Sequence, residues 1–428
     1  VIRSISYNIK DYKGEINMEL TQERLNKISE YAKLLVSVGL NIQKGQPLYI
    51  NATVDCTPLV RALYKHAYEL GASEVKVNFS DDVCRRLYME NSDMAVLENV
   101  PQHVIDERMY YVNNNAAFLS LTASSPELMK GVDQNRIKSA SIAGGKALNE
   151  FRQAIQSDEI AWCVAGYPSK DWAELVFPGE DDAEEKLLDL ILYTVRTEEE
   201  DPTVAWKKHT DTLDNKAKLL NEKRFKQLKY SAPGTDLTID LPEGHLWAGA
   251  SSVNKAGTTF VANMPTEEVF TVPSRTGVNG TVKNTMPLSY GGNIIDDFTL
   301  TFVEGKVTDY QAGVGEEVLK SLLETDEGAM RLGEVALVPD DSPISNTKTL
   351  FYNTLFDENA SCHLALGSAY SFCLEGGKEM TEEQLIEHDL NQSITHEDFM
   401  VGSNELNIEG VHADGSTEMI MKDGNFVI

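Results

Sequence analysis

Basic residues are scarce. Lys and Arg number 38 against 67 Asp and Glu, a formal net charge of −29 over 428 residues. Nucleic acids and anionic membrane surfaces require a basic face, so neither is expected as a partner. Cysteine is sparse too: Cys56, Cys84, Cys163, Cys362 and Cys373 are scattered, with no CxxC pair. An odd, widely spaced set gives neither a disulfide framework nor a thiolate metal site. Cys362 adjoins His363 only in sequence, which is not what nucleophilic catalysis needs, so a buried thiol is expected there. No apolar run reaches the length of a membrane span. The opening VIRSISYNIKDYKGEIN has no apolar stretch of the secretory kind, and a cytoplasmic location is the expectation. Dinucleotide and P-loop signatures are missing as well: NATVDCTP and AGGKALNE have neither spacing, and a turn opening a helix accounts for the second.

What is present is a long, ordinary globular composition, 42% hydrophobic. Such a length exceeds one ordinary core and predicts two domains. TQERLNKISEYAKLLVSV (21–38) has the apolar spacing of an amphipathic helix that starts at Thr21. QPLYINATVD (46–55), TPLVRALYKHAYELGA (57–72) and EVKVNFSDD (74–82) read as strand, helix and strand, a βαβ unit with parallel pairing. Further strands are expected at 118–124 and 160–168, with helices at 146–157 and 182–195. The charged run 204–230 reads as a solvated connecting helix. At SAPGTD (231–236) the pattern changes to short β-like runs punctuated by Gly and Pro, with one helix at 315–325 and a C-terminal hairpin. The expected organisation is an extension (1–17), an α/β domain with a largely parallel sheet (18–230), and a strand-rich α+β C-terminal domain (231–428).

Only eight histidines occur, and His363, His388 and His396 fall within residues 334–398. His388 lies in a helix-like run and reads as a surface residue. The others have chemically suggestive neighbours. TEEVFTVP carries Glu267 and Glu268; Glu334 opens EVALV; His363 is followed by Tyr370; His396 and Asp398 form a His-x-Asp pair. Residues two apart on an extended segment point to one side, so His396 and Asp398 suit one ion. His363 and Tyr370, about two helical turns apart, are expected to share a helix face. Carboxylates, imidazoles and a phenol are ligands for divalent first-row metals. This many donors suits a pair of ions better than a single zinc.

Four blocks in this order, NMPTEEVFTVPSRTGVNG, GEVALVPDDSPIS, LFDENASCHLALGSAY and NQSITHEDFMVG, resemble the signature segments of the aminopeptidase T family, whose wider group includes the bacterial aminopeptidases S and II. The likeness runs from about Met18 onward and is most specific in the C-terminal domain, which it marks as catalytic. The resemblance implies Glu268, Glu334, His363, Tyr370, His396 and Asp398 as metal ligands. It also implies two divalent ions per chain (zinc or cobalt, or else magnesium or manganese), a homodimer, and peptide substrates with a free N-terminus.

The expected reaction is removal of N-terminal residues by water activated between the two ions. By analogy with other two-metal aminopeptidases, Glu267 is the expected proton carrier, and Tyr370 a ligand or oxyanion donor. Glu334 is the expected bridging ligand, with Asp357 and Glu358 behind the His363 imidazole. Two alternatives stand beside this reading. A phosphoesterase-like dinuclear hydrolase would need more basic residues than these blocks supply, Arg275 being the only one within them. A non-enzymatic acidic α/β binding protein would be indifferent to chelators.

Overall fold

The computed structural model describes residues 20–291 and 293–428; the expected extension 1–17 lies outside them. The first helix, Gln22–Leu34, begins where Thr21 Oγ1 accepts the Arg24 N–H at 3.2 Å, and it buries Ile28, Tyr31, Ala32 and Leu34. The βαβ unit follows: β1 (Pro47–Thr53), the helix Thr57–Glu69 and β2 (Glu74–Ser80), with Pro47 opposite Glu74 in parallel register. β3 (Ala117–Thr122), β4 (Trp162–Gly166) and the short β5 (Asn263–Met264) complete an all-parallel sheet in the order β2-β1-β3-β4-β5. Leu48, Ile50, Leu119, Cys163 and Ala165 sit in its core. The Gly-Gly-Lys of AGGKALNE does not open a helix. Gly144 and Gly145 lie in the last turns of the helix Gln134–Ala147, and a second helix starts at Asn149.

The helix Pro202–Lys223 is not merely solvated. Asp201 caps it, Pro202 occupies its first turn, where no N–H is required, and Arg224 ends it in the left-handed region. Its Trp206 is buried in the first core, while Leu213, Ala217 and Leu220 are buried in a second. The charges that suggested solvation occupy the remaining face. The strand Gln227–Ala232 crosses the expected division at 230, and the chain later returns to the first sheet at β5. We propose the end of this helix, near Arg224, as the division between the two units.

Among the described residues the second unit holds two larger antiparallel sheets and a two-stranded ribbon, Ser251–Val253 with Thr259–Val261. The larger joins strands from Gln227–Ala232 through Lys306–Val314 to the C-terminal hairpin Asn407–Val411 and Thr417–Lys422. The smaller consists of β6 (Val269–Thr271), β7 (Leu332–Leu337), β8 (His363–Gly367) and β9 (His396–Met400), in that order. Alternation along a strand separates its two faces. Val335, Leu337, Leu364, Leu366 and Phe399 point into the second core. Their neighbours Glu334, Ala336, His363, Ala365, His396 and Asp398 therefore share the opposite face.

If the long helix joins both cores, Leu220→Ala costs about 2–5 kcal/mol in urea unfolding, the usual range for a fully buried leucine. A loss below about 1 kcal/mol would return that helix to the role of solvated connector.

Candidate metal centre

Strand register assembles the site. Glu334 on β7 lies opposite Ala365 on β8, which lies opposite Asp398 on β9. One step along, His363 faces Ala336; one step the other way, His396 faces Gly367. Two carboxylates and two imidazoles thus project from one face, and the alanines and glycine among them leave room. Glu268 comes from outside the ladder, immediately before β6. A β-bulge between Leu332 and Glu334 adjusts the aim of β7. Gly333 within it has no tolerance for a side chain: a Cβ would lie 2.4 Å from the carbonyl oxygens of both Gly367 and Ser368.

The donor atoms fall into two groups that share one residue. Glu268, Glu334 and His363 form the first; Glu334, His396 and Asp398 form the second; within each, the donor atoms lie within 4.8 Å of one another. Glu334 is divided between them. Its Oε1 is 3.9 Å from His363 Nε2, and its Oε2 is 3.1 Å from His396 Nε2. Glu268 Oε2 lies 3.2 Å from His363 Nε2, and Asp398 Oδ1 lies 3.5 Å from His396 Nε2. Glu334 is 4% exposed and His363 1%.

These residues fit divalent cations on three observations. His363 Nδ1–H donates to Ser361 O at 3.1 Å, and His396 Nδ1–H to Ser368 O at 2.7 Å. A fixed Nδ1–H turns each Nε2 toward the carboxylates, the usual orientation of a ligating histidine, whose Nε2 lone pair is freed when a cation displaces its proton. Asp398 Oδ1 is buried with no hydrogen-bond donor. Finally, five carboxylates line one cavity of about 170 Å³; Asp158 is paired with Lys378 at 3.1 Å, which leaves Glu268, Glu334, Glu358 and Asp398 (−4 when ionised) to be balanced. Two divalent cations would balance that charge.

Electrostatics of the side chains express the same crowding. Burial raises the Glu334 carboxyl, against the opposing hydrogen bond from His396. Burial opposes the charged form of His363, yet Glu268, Asp398 and Glu334 hold its imidazole well above the usual range. His396 behaves alike, with Asp398 and Glu334 outweighing burial.

Other expected residues are placed differently. His363 and Tyr370 share no helix face: His363 opens a strand and Tyr370 follows it in a loop. Tyr370 still borders the cavity, its ring 4.9 Å from that of His396. Glu267 is turned away from the cavity that Glu268 lines. Its carboxylate pairs with Arg196 at 2.7 Å in a buried pocket, because neighbours on an extended segment face opposite sides. The expected role as proton carrier therefore has no geometric basis. Asp357 does not support the imidazole either. It accepts the Phe351 and Asn353 N–H groups at 2.8 and 2.9 Å and shapes that loop. Ser361 O holds the His363 tautomer. Glu358 faces the cavity itself; burial, then the charges of Asp398 and Glu268, push its carboxyl well above the carboxylate range. Its sequence position beside Asp357 carried no signal that separated the two.

Both imidazoles hold protons more tightly folded than unfolded. Their stabilisation is complete below the unfolded value near ~6.5 and is lost as pH rises through the higher folded value. The raised Glu334 and Glu358 carboxyls act in the same direction. Chelator-treated protein is thus expected to lose thermal stability from pH 6 to 9, and added zinc to reverse the loss by displacing those protons. Thermal unfolding across that range checks this; stability that is flat or rises with pH would contradict it.

Comparison with known proteins follows the same line. A family model described as thermophilic metalloprotease (M29) matches residues 24–426. Aminopeptidase AmpS of Bacillus subtilis (strain 168) is 52% identical over 402 residues, covering 94% of this chain and 98% of that protein. Aminopeptidase T of Thermus aquaticus is 38% identical over 413 residues, covering 96% and 100% respectively. A solved structure of wild-type AmpT from Thermus thermophilus superimposes with a TM-score of 0.89 at 36% identity, covering 94% of this chain and 99% of that one. The chain belongs to the thermophilic metalloprotease (M29) family.

Proposed function

We propose that this metallo-aminopeptidase removes N-terminal residues from peptides at a site built for two divalent cations. The division of Glu334 between two donor groups is the observation that carries this reading. Glu268 and His363 would hold one cation, His396 and Asp398 the other, and Glu334 would contribute to both. Glu358 adds a carboxylate from the cavity wall. Carboxylate and imidazole donors suit zinc, cobalt or manganese, with magnesium less favoured by the histidines. Divalent ions held there supply Lewis-acid polarisation of the scissile carbonyl and make the attacking water acidic.

The remaining work falls to side chains. Tyr370 is kept protonated by burial and by the neighbouring charges of Glu334 and Asp398. With cations balancing those carboxylates, the phenol would either join the ligands, as the resemblance implies, or donate its hydroxyl to the developing oxyanion. Trp162, Phe270 and Phe372 give the cavity an apolar wall, suited to the side chain of the N-terminal residue. No Lys or Arg is among the described residues that line the cavity, which counts against a phosphate ester as substrate. A homodimer and a cytoplasmic setting are part of the proposal; among the described residues no helix is long and apolar enough to cross a membrane.

An amino-acid anilide with a free amine, its N-acetylated counterpart and a phosphate ester test the reading together. Only the free-amine anilide is expected to be cleaved, with activity falling by more than about a hundredfold on chelation and returning with zinc or cobalt. Cleavage that survives complete demetallation, or equal cleavage of the blocked substrate, would refute it.

A further inference from the structure

Glu268 reaches the centre from an awkward place. Residues 265–268 cross from the end of β5 to the start of β6, outside either ladder. A ligand on such a crossing needs its backbone held by something else, and three side chains do so. His209 Nε2–H donates to Thr266 O at 2.8 Å. The Glu267 N–H donates to Asn359 Oδ1 at 2.8 Å. The Glu267 carboxylate meets Arg196 Nη2 at 2.7 Å through Oε1 and 3.0 Å through Oε2. Thr266, Glu267 and Asn359 are all buried.

Each holder is itself fixed. Arg196 stands in a left-handed turn (φ 62°) after the helix Ala183–Thr194, its guanidinium 5.3 Å from the centre of the Trp206 ring. His209 comes from the helix Pro202–Lys223. Burial, then the charge of Arg196, depress it to about 4, so the ring is neutral. A neutral ring donates from one nitrogen and accepts at the other. Here Nε2–H serves Thr266, and Nδ1 faces Arg196 Nη2 at 3.3 Å. Asn359 uses its remaining amide hydrogens on Leu355 O at 2.9 Å and Glu358 Oε1 at 3.3 Å. One amide therefore ties the crossing to the second cavity carboxylate.

We infer that His209 and Asn359, through the backbone of Thr266 and Glu267, and Arg196, through the Glu267 carboxylate, are positioning residues that clamp this crossing, so that Glu268 arrives pre-aimed at the His363 side of the centre. Glu267 acts through its pairing with Arg196, as part of the clamp and not as a proton carrier. The inference rests on the metal-binding reading of Glu268. A side chain that orients a ligand typically contributes a factor of 10–100 in metal affinity. The clamp touches only one of the two donor groups, so its loss has an asymmetric signature.

Calorimetric titration of zinc into the metal-free full chain, with cobalt absorption spectra in parallel, reads that signature. Wild type is expected to bind two equivalents. Arg196→Gln and Asn359→Ala are each expected to weaken one equivalent by about 10–100-fold and leave the other nearly unchanged. Arg196→Lys, which keeps the charge but not the fork, should fall between wild type and Arg196→Gln. Circular dichroism identifies a variant that fails to fold, in which case the other variant carries the test. Two equivalents bound as in wild type, or an equal loss at both, overturns the clamp. A wild-type chain that binds fewer than two equivalents refutes instead the two-cation reading beneath it.

Discussion

Glu334 is a buried carboxylate whose two oxygens face two different imidazoles, and much of the second unit is arranged around that fact. Removing an ion from water costs several kcal/mol even after the protein relaxes. Here Glu334 is joined in one cavity by Glu268, Glu358 and Asp398. Four carboxylates gathered in one cavity must either take up protons or be balanced by positive charge. Two imidazolium rings would offset half of it. Two divalent cations offset all of it and leave the imidazoles neutral, the form in which they ligate.

The rest of the architecture serves that charge balance. The small antiparallel sheet has one face of Val, Leu and Phe sunk in a core and one face of donors, and strict alternation keeps them apart. Ala336, Ala365 and Gly367 are small where larger side chains would fill the site. The parallel sheet of the first unit supplies the opposite wall through Trp162, and its last strand delivers the chain to Glu268. The helix Pro202–Lys223 contributes to both cores and brings His209 to the crossing segment. The centre therefore lies where the two units meet, and residues far from the chemistry determine the aim of a ligand.

Sequence pattern made several of these features legible. The succession of apolar strand, helix and strand marked the βαβ unit, alternation with Asp-Gly turns marked the C-terminal hairpin, and a His-x-Asp pair on an extended run pointed to His396 and Asp398. The failures have physical reasons. Glu267 and Glu268 are chemically identical, and only strand geometry shows which one faces the cavity. Asp357 and Glu358 pose the same problem across a short helical turn. The spacing of His363 and Tyr370 suited a helix, whereas a strand and loop achieve the same proximity by packing the phenol on His396. Arg196 and Asn359 lie 71 and 92 residues from Glu267, so no local pattern could join them to it. The long helix looked solvated because its charges outnumber its buried face: Trp206, Leu213 and Leu220 recur only every seventh residue, about two turns apart, a stripe too narrow to stand out among the charges.

The most direct measurement is anomalous diffraction at the zinc edge from crystals of the zinc-loaded chain. The account predicts two peaks flanking the Glu334 carboxylate, one against Glu268 and His363 and the other against His396 and Asp398. A single peak, or zinc bound away from Glu334, would contradict it.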